Sequence, residues 1–281
     1  MPYLYVYGPH INLRNLLLED IYVTRKIMNE LSNPYFGYTY SAFTKIIIPL
    51  MILFALELKQ WVLLLIGIIY LILFYLFGAH KTVYLGLIVL LVFYKLSYYS
   101  SVFKMFKFAS ILALVALFLA FLGSDQLWIL IFRRTHFLPT LLDICYLDFF
   151  QGKPIYWSGS FLKRFITYPY EMGHTKMIGD YYFHKPDMSA NNGLIADGYM
   201  NFGSIGVVIN VILVSLYFAV LNSLKIPSRY FGIYLLTILS FVSSSLFTVF
   251  ITHGAIGLLI ISIFILNEKK SKNLSPNIST S

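Results

Sequence analysis

Long apolar runs, separated by short polar joints, follow one another along most of this chain. They cover Ala42 to Leu56, Trp61 to Gly78, Val83 to Leu96, Phe108 to Gly123, Met200 to Leu221 and Phe231 to Phe250, with a shorter seventh from Ala255 to Leu266. No single water-soluble core can bury so many runs of that length, so the solvent they call for is a lipid bilayer. Charge content agrees, because only 12% of residues are Asp, Glu, Lys or Arg, about half of the ~25% usual in soluble domains. The expected fold class is an all-α polytopic membrane protein with six to seven transmembrane helices.

Several function classes drop out at once. Cys145 is the only cysteine, so no disulfide framework or Cys-based zinc or redox motif exists, and a small apolar filler is its expected role. The net charge of +9 comes without a nucleic-acid motif and suits lysines and arginines that fix orientation and meet anionic head groups. Residues 1–41 contain Arg14, Arg25, Lys26, Glu19, Asp20 and Glu30 but no unbroken apolar core, so they read as an outer segment rather than a signal peptide. His174, Asp180, His184 and Asp187 follow no metal-ligand spacing, and no metal or other cofactor is expected.

The cations of the short joints predict the orientation. Lys59, Lys95, Lys104, Lys107, Lys225 and Arg229 fall on the same side as the tail lysines Lys269, Lys270 and Lys272, against Arg14, Arg25, Lys26 and Lys81 on the other. Nine against four places the tail, residues 267–281, in the cytoplasm as a disordered segment, with the amino terminus outside. Four spans then occupy residues 42–123, a large outer loop residues 124–192, and two to three spans residues 193–266. Lys45, His80, Lys81, Asp197 and His253 all fall at the outer ends of spans. Ionisable groups at that boundary tend to line cavities, although Lys45 and Lys81 can instead snorkel to the surface, and His253 can simply cap a tight turn with Gly254.

Within the loop, apolar residues recur at 137, 141, 145, 149 and at 138, 142, 146, 150. These rows form one stripe of an amphipathic helix expected to lie on the membrane surface, with Pro139 in its first turn and Gly152 and Pro154 ending it. Trp157, Lys163, Arg164, Tyr168, Tyr170, Glu171 and His174 follow. Flat rings offer stacking faces for sugars and guanidinium forks match diphosphate oxygens; the same mixture also suits an interfacial loop that meets ordinary phospholipid.

The order of landmarks is similar to that of a known family. Asp20-Ile-Tyr22-Val-Thr-Arg25, then Phe77-Gly78-Ala-His80-Lys81-Thr82, then Arg133-Arg134 with Pro139 and Phe149-Phe150, then Asn191-Asn192-Gly193 and Asp197-Gly198-Tyr199-Met-Asn201-Phe202-Gly203-Ser-Ile-Gly206 resemble the bacterial oligosaccharide repeat-unit polymerases of O-antigen and capsule synthesis. The resemblance spans about Asp20 to Gly206, through loose motifs. Members of that family usually carry further amino-terminal spans, so on this reading the chain is an amino-terminally shortened one.

The resemblance implies a glycosyltransferase at the outer face of the bacterial inner membrane. It would move a growing glycan from a polyprenyl diphosphate carrier onto the next lipid-linked repeat unit, alongside a flippase and a chain-length regulator. Arginines of the outer loops are implicated in such enzymes, and Arg25, Arg133 and Arg134 match. Chemistry adds the rest: Arg133 and Arg134 to stabilise the leaving diphosphate, Asp197 as acceptor of the attacking hydroxyl's proton, and Arg25, Lys81, His136, Trp157, Arg164 and His253 to bind substrate. Asp197 has a packing or capping role as its alternative. The rival functions are an O-antigen ligase, a glycolipid flippase or transporter, and an inactive truncated membrane subunit; ionisable groups gathered at one face rather than along span interiors speak against transport.

Overall fold

A computed structural model describes residues 2–17, 19–129, 132–133, 137–160 and 162–268, with the backbone alone at 81, 82, 84 and 85. The tail from 269 onward, expected to be disordered, lies outside the described residues. All regular structure among those residues is helical. The helices are α1 (Ile21–Leu31), α2 (Pro34–Glu57), α3 (Trp61–Gly78), α4 (Lys81–Phe93), α5 (Tyr98–Phe121), α6 (Leu138–Phe149), α7 (His174–Phe183), α8 (Leu194–Ser223), α9 (Phe231–Ser240) and α10 (Ala255–Leu266). Four of them, α2, α3, α5 and α8, are long and apolar enough to cross a membrane.

The case for lipid is clearest at α5. Only 6% of its most apolar window is buried within the protein, and Phe103, Phe106, Phe108, Leu114, Leu117, Phe118 and Phe121 are exposed around it. A helix apolar on every side and uncovered by protein needs hydrocarbon around it. The chain is a helical membrane protein.

Two compact units divide the chain. One comprises residues 1–98, 224–237 and 250–281, the other 99–223 and 238–249. In the first, α2 packs along α3. Asn33 starts α2 eight residues before the apolar run does: its side chain accepts from the Phe36 amide at 3.1 Å, with Pro34 in the first turn. Near the middle, the turn Phe43–Ile47 widens to a π-helix in which Ile48 N–H donates to the Phe43 carbonyl five residues back. Pro49 follows directly; it cannot join the ladder, and the wider turn absorbs the misfit. One side of α2 buries Tyr40 in an aromatic cluster with Tyr3, Tyr7, Phe36, Phe74 and Phe77. The other packs Ile46, Leu50 and Leu53 against Leu90, Tyr230, Ile233 and Leu258. At the end of α2, Glu57 accepts from Arg229 at 2.8 Å and from the Tyr230 hydroxyl at 2.9 Å.

In the second unit, the loop helix forms where the pattern predicts it, with Pro139 in its first turn. Its position differs from the expectation. Leu142, Cys145, Tyr146 and Phe150 bury the stripe against protein, with Ile178 of α7 and Ala196 and Met200 of α8; of the stripe, Phe137 and Leu141 alone stand exposed. The stripe is a core face of a folded loop, because α7 and the start of α8 supply the apolar surface that a membrane was expected to supply.

The run expected to begin a span at Met200 is also different. Inside α8 the backbone leaves helical geometry at Phe202 (φ −142°, ψ 21°) and Gly203 (φ 63°, ψ −150°). Asn210 donates its side-chain N–H to the Leu194 carbonyl at 3.0 Å; in a straight helix, residues 16 apart would be ~24 Å apart. The segment is therefore a hairpin with a short arm, 194–201, folded back on a long arm, 204–223. Gly198 and Gly206 allow the crossing, since a Cβ on Gly198 would come within 2.6 Å of the Gly206 carbonyl oxygen. The run from Phe231 likewise breaks: α9 ends at Ser240, and turns lead to a second π-helical segment, Thr248–Thr252.

Candidate functional site

In the first unit, two segments singled out in the sequence meet. Arg25 on α1 donates from Nη2 at 3.0 Å and from Nε at 3.3 Å to the carbonyl of Ala79. Ala79 caps α3 in the left-handed region, at φ 47°, a conformation costing an ordinary residue roughly 1–2 kcal/mol. The forked guanidinium holds that carbonyl from outside, and the turn aims His80 back toward α2. The His80 ring lies 5.5 Å from the Tyr40 ring, and the Tyr40 hydroxyl is fixed by donation to the Phe74 carbonyl at 2.7 Å. Gly78 makes this possible, because any Cβ there would collide with the Tyr40 hydroxyl.

Two further basic residues join from distant points of the chain. Lys45 sits in the π-helical turn of α2, half-buried. The turn His253–Gly254 lies against the same part of α2, where a Cβ on Gly254 would strike the Ile46 side chain and lie 3.9 Å from the Ala42 Cα. Burial, then the Arg25 and Lys45 charges, push His80 down to about 4; burial, then Lys45 and His80, do the same to His253. His253 Nδ1 is enclosed without a hydrogen-bond partner among the described residues. Arg25, Lys45, His80 and His253 thus form one cluster of basic residues, to which the Lys81 backbone is adjacent; the Lys81 side chain lies outside the described residues.

In the second unit, Asp197 is buried, at 4% exposure. Its Oδ1 accepts from Asn192 at 3.3 Å and from Asn201 at 3.4 Å, and its Oδ2 accepts from Asn210 at 3.3 Å and from the Leu246 amide at 3.0 Å. Asn201 ties this knot to the loop, accepting from the Trp157 amide at 2.7 Å while donating to the Asp197 carbonyl at 2.7 Å. Where the hairpin bend interrupts the helical ladder, the Met200 and Asn201 carbonyls accept from Ile155 and Tyr156 at 3.0 and 3.1 Å. In the same unit, burial lowers the affinity of the His174 imidazole for a proton.

The remaining expected residues are dispersed. Arg133 and Arg164 are exposed, with no hydrogen bond or ion pair among the described residues, and Arg134 and His136 lie outside them. Trp157 packs edge-on against Phe202 at 4.7 Å and Phe247 at 5.0 Å between ring centres, so its ring serves packing. Lys45 and His80 join the cluster although sequence reasoning left them out of the expected set. Asn210 was missed altogether; an asparagine inside an apolar run is itself a signal, because an amide in hydrocarbon must find a partner. No metal-binding group of His, Cys, Asp and Glu occurs among the described residues. No family model, curated protein or solved structure matches the chain.

Proposed function

We propose that this protein is a polytopic membrane glycosyltransferase that joins lipid-linked oligosaccharide repeat units, taking the glycan from a polyprenyl diphosphate carrier. The observation that carries the reading is the junction of Arg25 with the Ala79 carbonyl, which joins two of the landmark segments and draws Lys45 and His253 to the same place. Cations preorganised where negative charge develops commonly supply the largest catalytic term, and a departing diphosphate needs them. The working topology adds α4 and α9, with or without α10, to the four long helices, for six to seven spans, with the cluster facing outward. The four donors on Asp197 favour a role in holding the hairpin over one as proton acceptor, since a base needs an oxygen open to the hydroxyl it deprotonates.

The test is polymer length in a polymerase-deficient host expressing the longest reading frame that contains this chain. Arg25→Lys keeps the charge but loses the paired donation to Ala79, so the ladder of chain lengths is expected to collapse at unchanged membrane abundance. The Arg133→Lys/Arg134→Lys double variant is expected to shorten it as well, through lost bidentate phosphate contacts. Full ladders from both variants would overturn the reading.

A further inference from the structure

Four basic residues converge in the first unit from four places in the chain: α1, the π turn of α2, the joint after α3 and the turn before α10. Among the described residues, the charged groups that act on His80 are Arg25 and Lys45, and the titratable groups that act on His253 are Lys45 and His80. A further titratable neighbour is Tyr40, whose hydroxyl is already engaged with the Phe74 carbonyl. Like charges brought together at partial burial repel, and burial weakens the screening that would relieve them. Burial first, and then those charges, disfavour protonation of both imidazoles, and His253 Nδ1 is enclosed without a partner among the described residues.

We propose that Arg25, Lys45, His80 and His253 form a proton-linked site for a phosphate group, in which a bound dianion is accompanied by protonation of one or both imidazoles. Arg25 supplies permanent charge, and Lys45 adds an ammonium donor. The histidines supply charge only when the anion is present, so the empty site avoids four mutually repelling cations. On binding, each imidazolium becomes a donor on both ring nitrogens, and the orphaned Nδ1 of His253 gains a role. No covalent bond changes; protons come from solvent and return to it on release. Ligand binding and proton uptake are then linked, so affinity rises as pH falls, from the pH at which the bound imidazoles titrate down to the pH at which the empty ones do. The inference rests on the glycosyl-transfer reading for the lipid carrier, but not for the phosphate chemistry.

The experiment uses the full chain in nanodiscs of zwitterionic lipid, titrated calorimetrically with sulfate between about pH 5 and pH 7, where imidazoles titrate, in buffers of different ionisation enthalpy. Sulfate is a tetrahedral dianion that does not titrate in that window, whereas phosphate monoesters do, near ~6. Sulfate binding is expected to carry net proton uptake and, as pH rises, to weaken by roughly tenfold per pH unit for each proton taken up. Pyrophosphate, and phosphatidic acid incorporated in the nanodisc, are then tested as competitors. Displacement by phosphatidic acid alone assigns the site to lipid head groups, displacement by pyrophosphate alone to soluble phosphates, and either supports the proposal.

The His80→Gln/His253→Gln variant is expected to bind sulfate more weakly and with no pH dependence. Lys45→Gln is expected to weaken binding at every pH while keeping the proton uptake, and Lys45→Arg to restore it. Thermal melting confirms that each variant is folded. Absence of sulfate binding, pH-independent affinity in the unaltered chain, or pH dependence that survives in the double variant would overturn the proposal; in the last two cases the sulfate is an adventitious ion only. Proton-linked binding in a protein that makes no polymer would leave this inference standing and overturn glycosyl transfer.

Discussion

Asp197 presents two carboxylate oxygens to four N–H groups, and that count governs what a substitution there does. Asparagine keeps the shape but turns one accepting oxygen into a donor that faces other donors. A buried donor left unsatisfied costs about 1–3 kcal/mol, so Asp197→Asn is expected to lower the melting temperature and the membrane abundance. Normal abundance with loss of polymer would instead show the carboxylate acting as base. Asp197 was visible in the sequence as an acid at the edge of an apolar run. Its donors were visible only in part: Asn192 and Asn201 sit in the landmark motif, but Asn210 comes from beyond a chain reversal that no local pattern announces. Lys45 and His253 illustrate the same limit, since 208 positions of chain separate residues that end at one turn of α2.

At the scale of elements, hydrophobic periodicity located the helices and misplaced their surroundings. The stripe of α6 is real, yet periodicity states only that one face is apolar, not whether lipid or protein covers it; Ile178, Ala196 and Met200 do. The hairpin in α8 escaped for a different reason. Gly203 among apolar neighbours reads as a packing glycine, whereas its φ of 63° with ψ of −150° belongs to a region that glycine alone occupies comfortably. Gly203→Ala is therefore expected to cost about 1–3 kcal/mol, measured as a lower melting temperature in detergent, while alanine at the open Gly257 should be nearly silent. Gly198→Ala should be as damaging as Gly203→Ala, because the Gly206 carbonyl already fills the space of its Cβ. Equal melting of all three variants would refute the hairpin.

For the whole molecule, the charge asymmetry of the joints predicts that Lys104, Arg229 and the carboxyl tail face the cytoplasm and that Lys153 and His174 face outward. Single cysteines on a Cys145→Ser background test this with a membrane-impermeant label: position 153 is expected to react in intact spheroplasts and position 104 only after lysis, and the reverse pattern would invert the topology. The membrane class was legible from composition alone, and α5, apolar and almost uncovered by the rest of the chain, agrees with it. The division into two units was not, because each is assembled from segments far apart in sequence. The hairpin bend also ties the carboxyl half to chain made earlier. Its Met200 and Asn201 carbonyls are satisfied by amides of Ile155 and Tyr156, and hydrocarbon offers no substitute donor. The loop that carries those amides leaves the ribosome first, so the donors for the bend already exist when the chain reverses at Phe202 and Gly203.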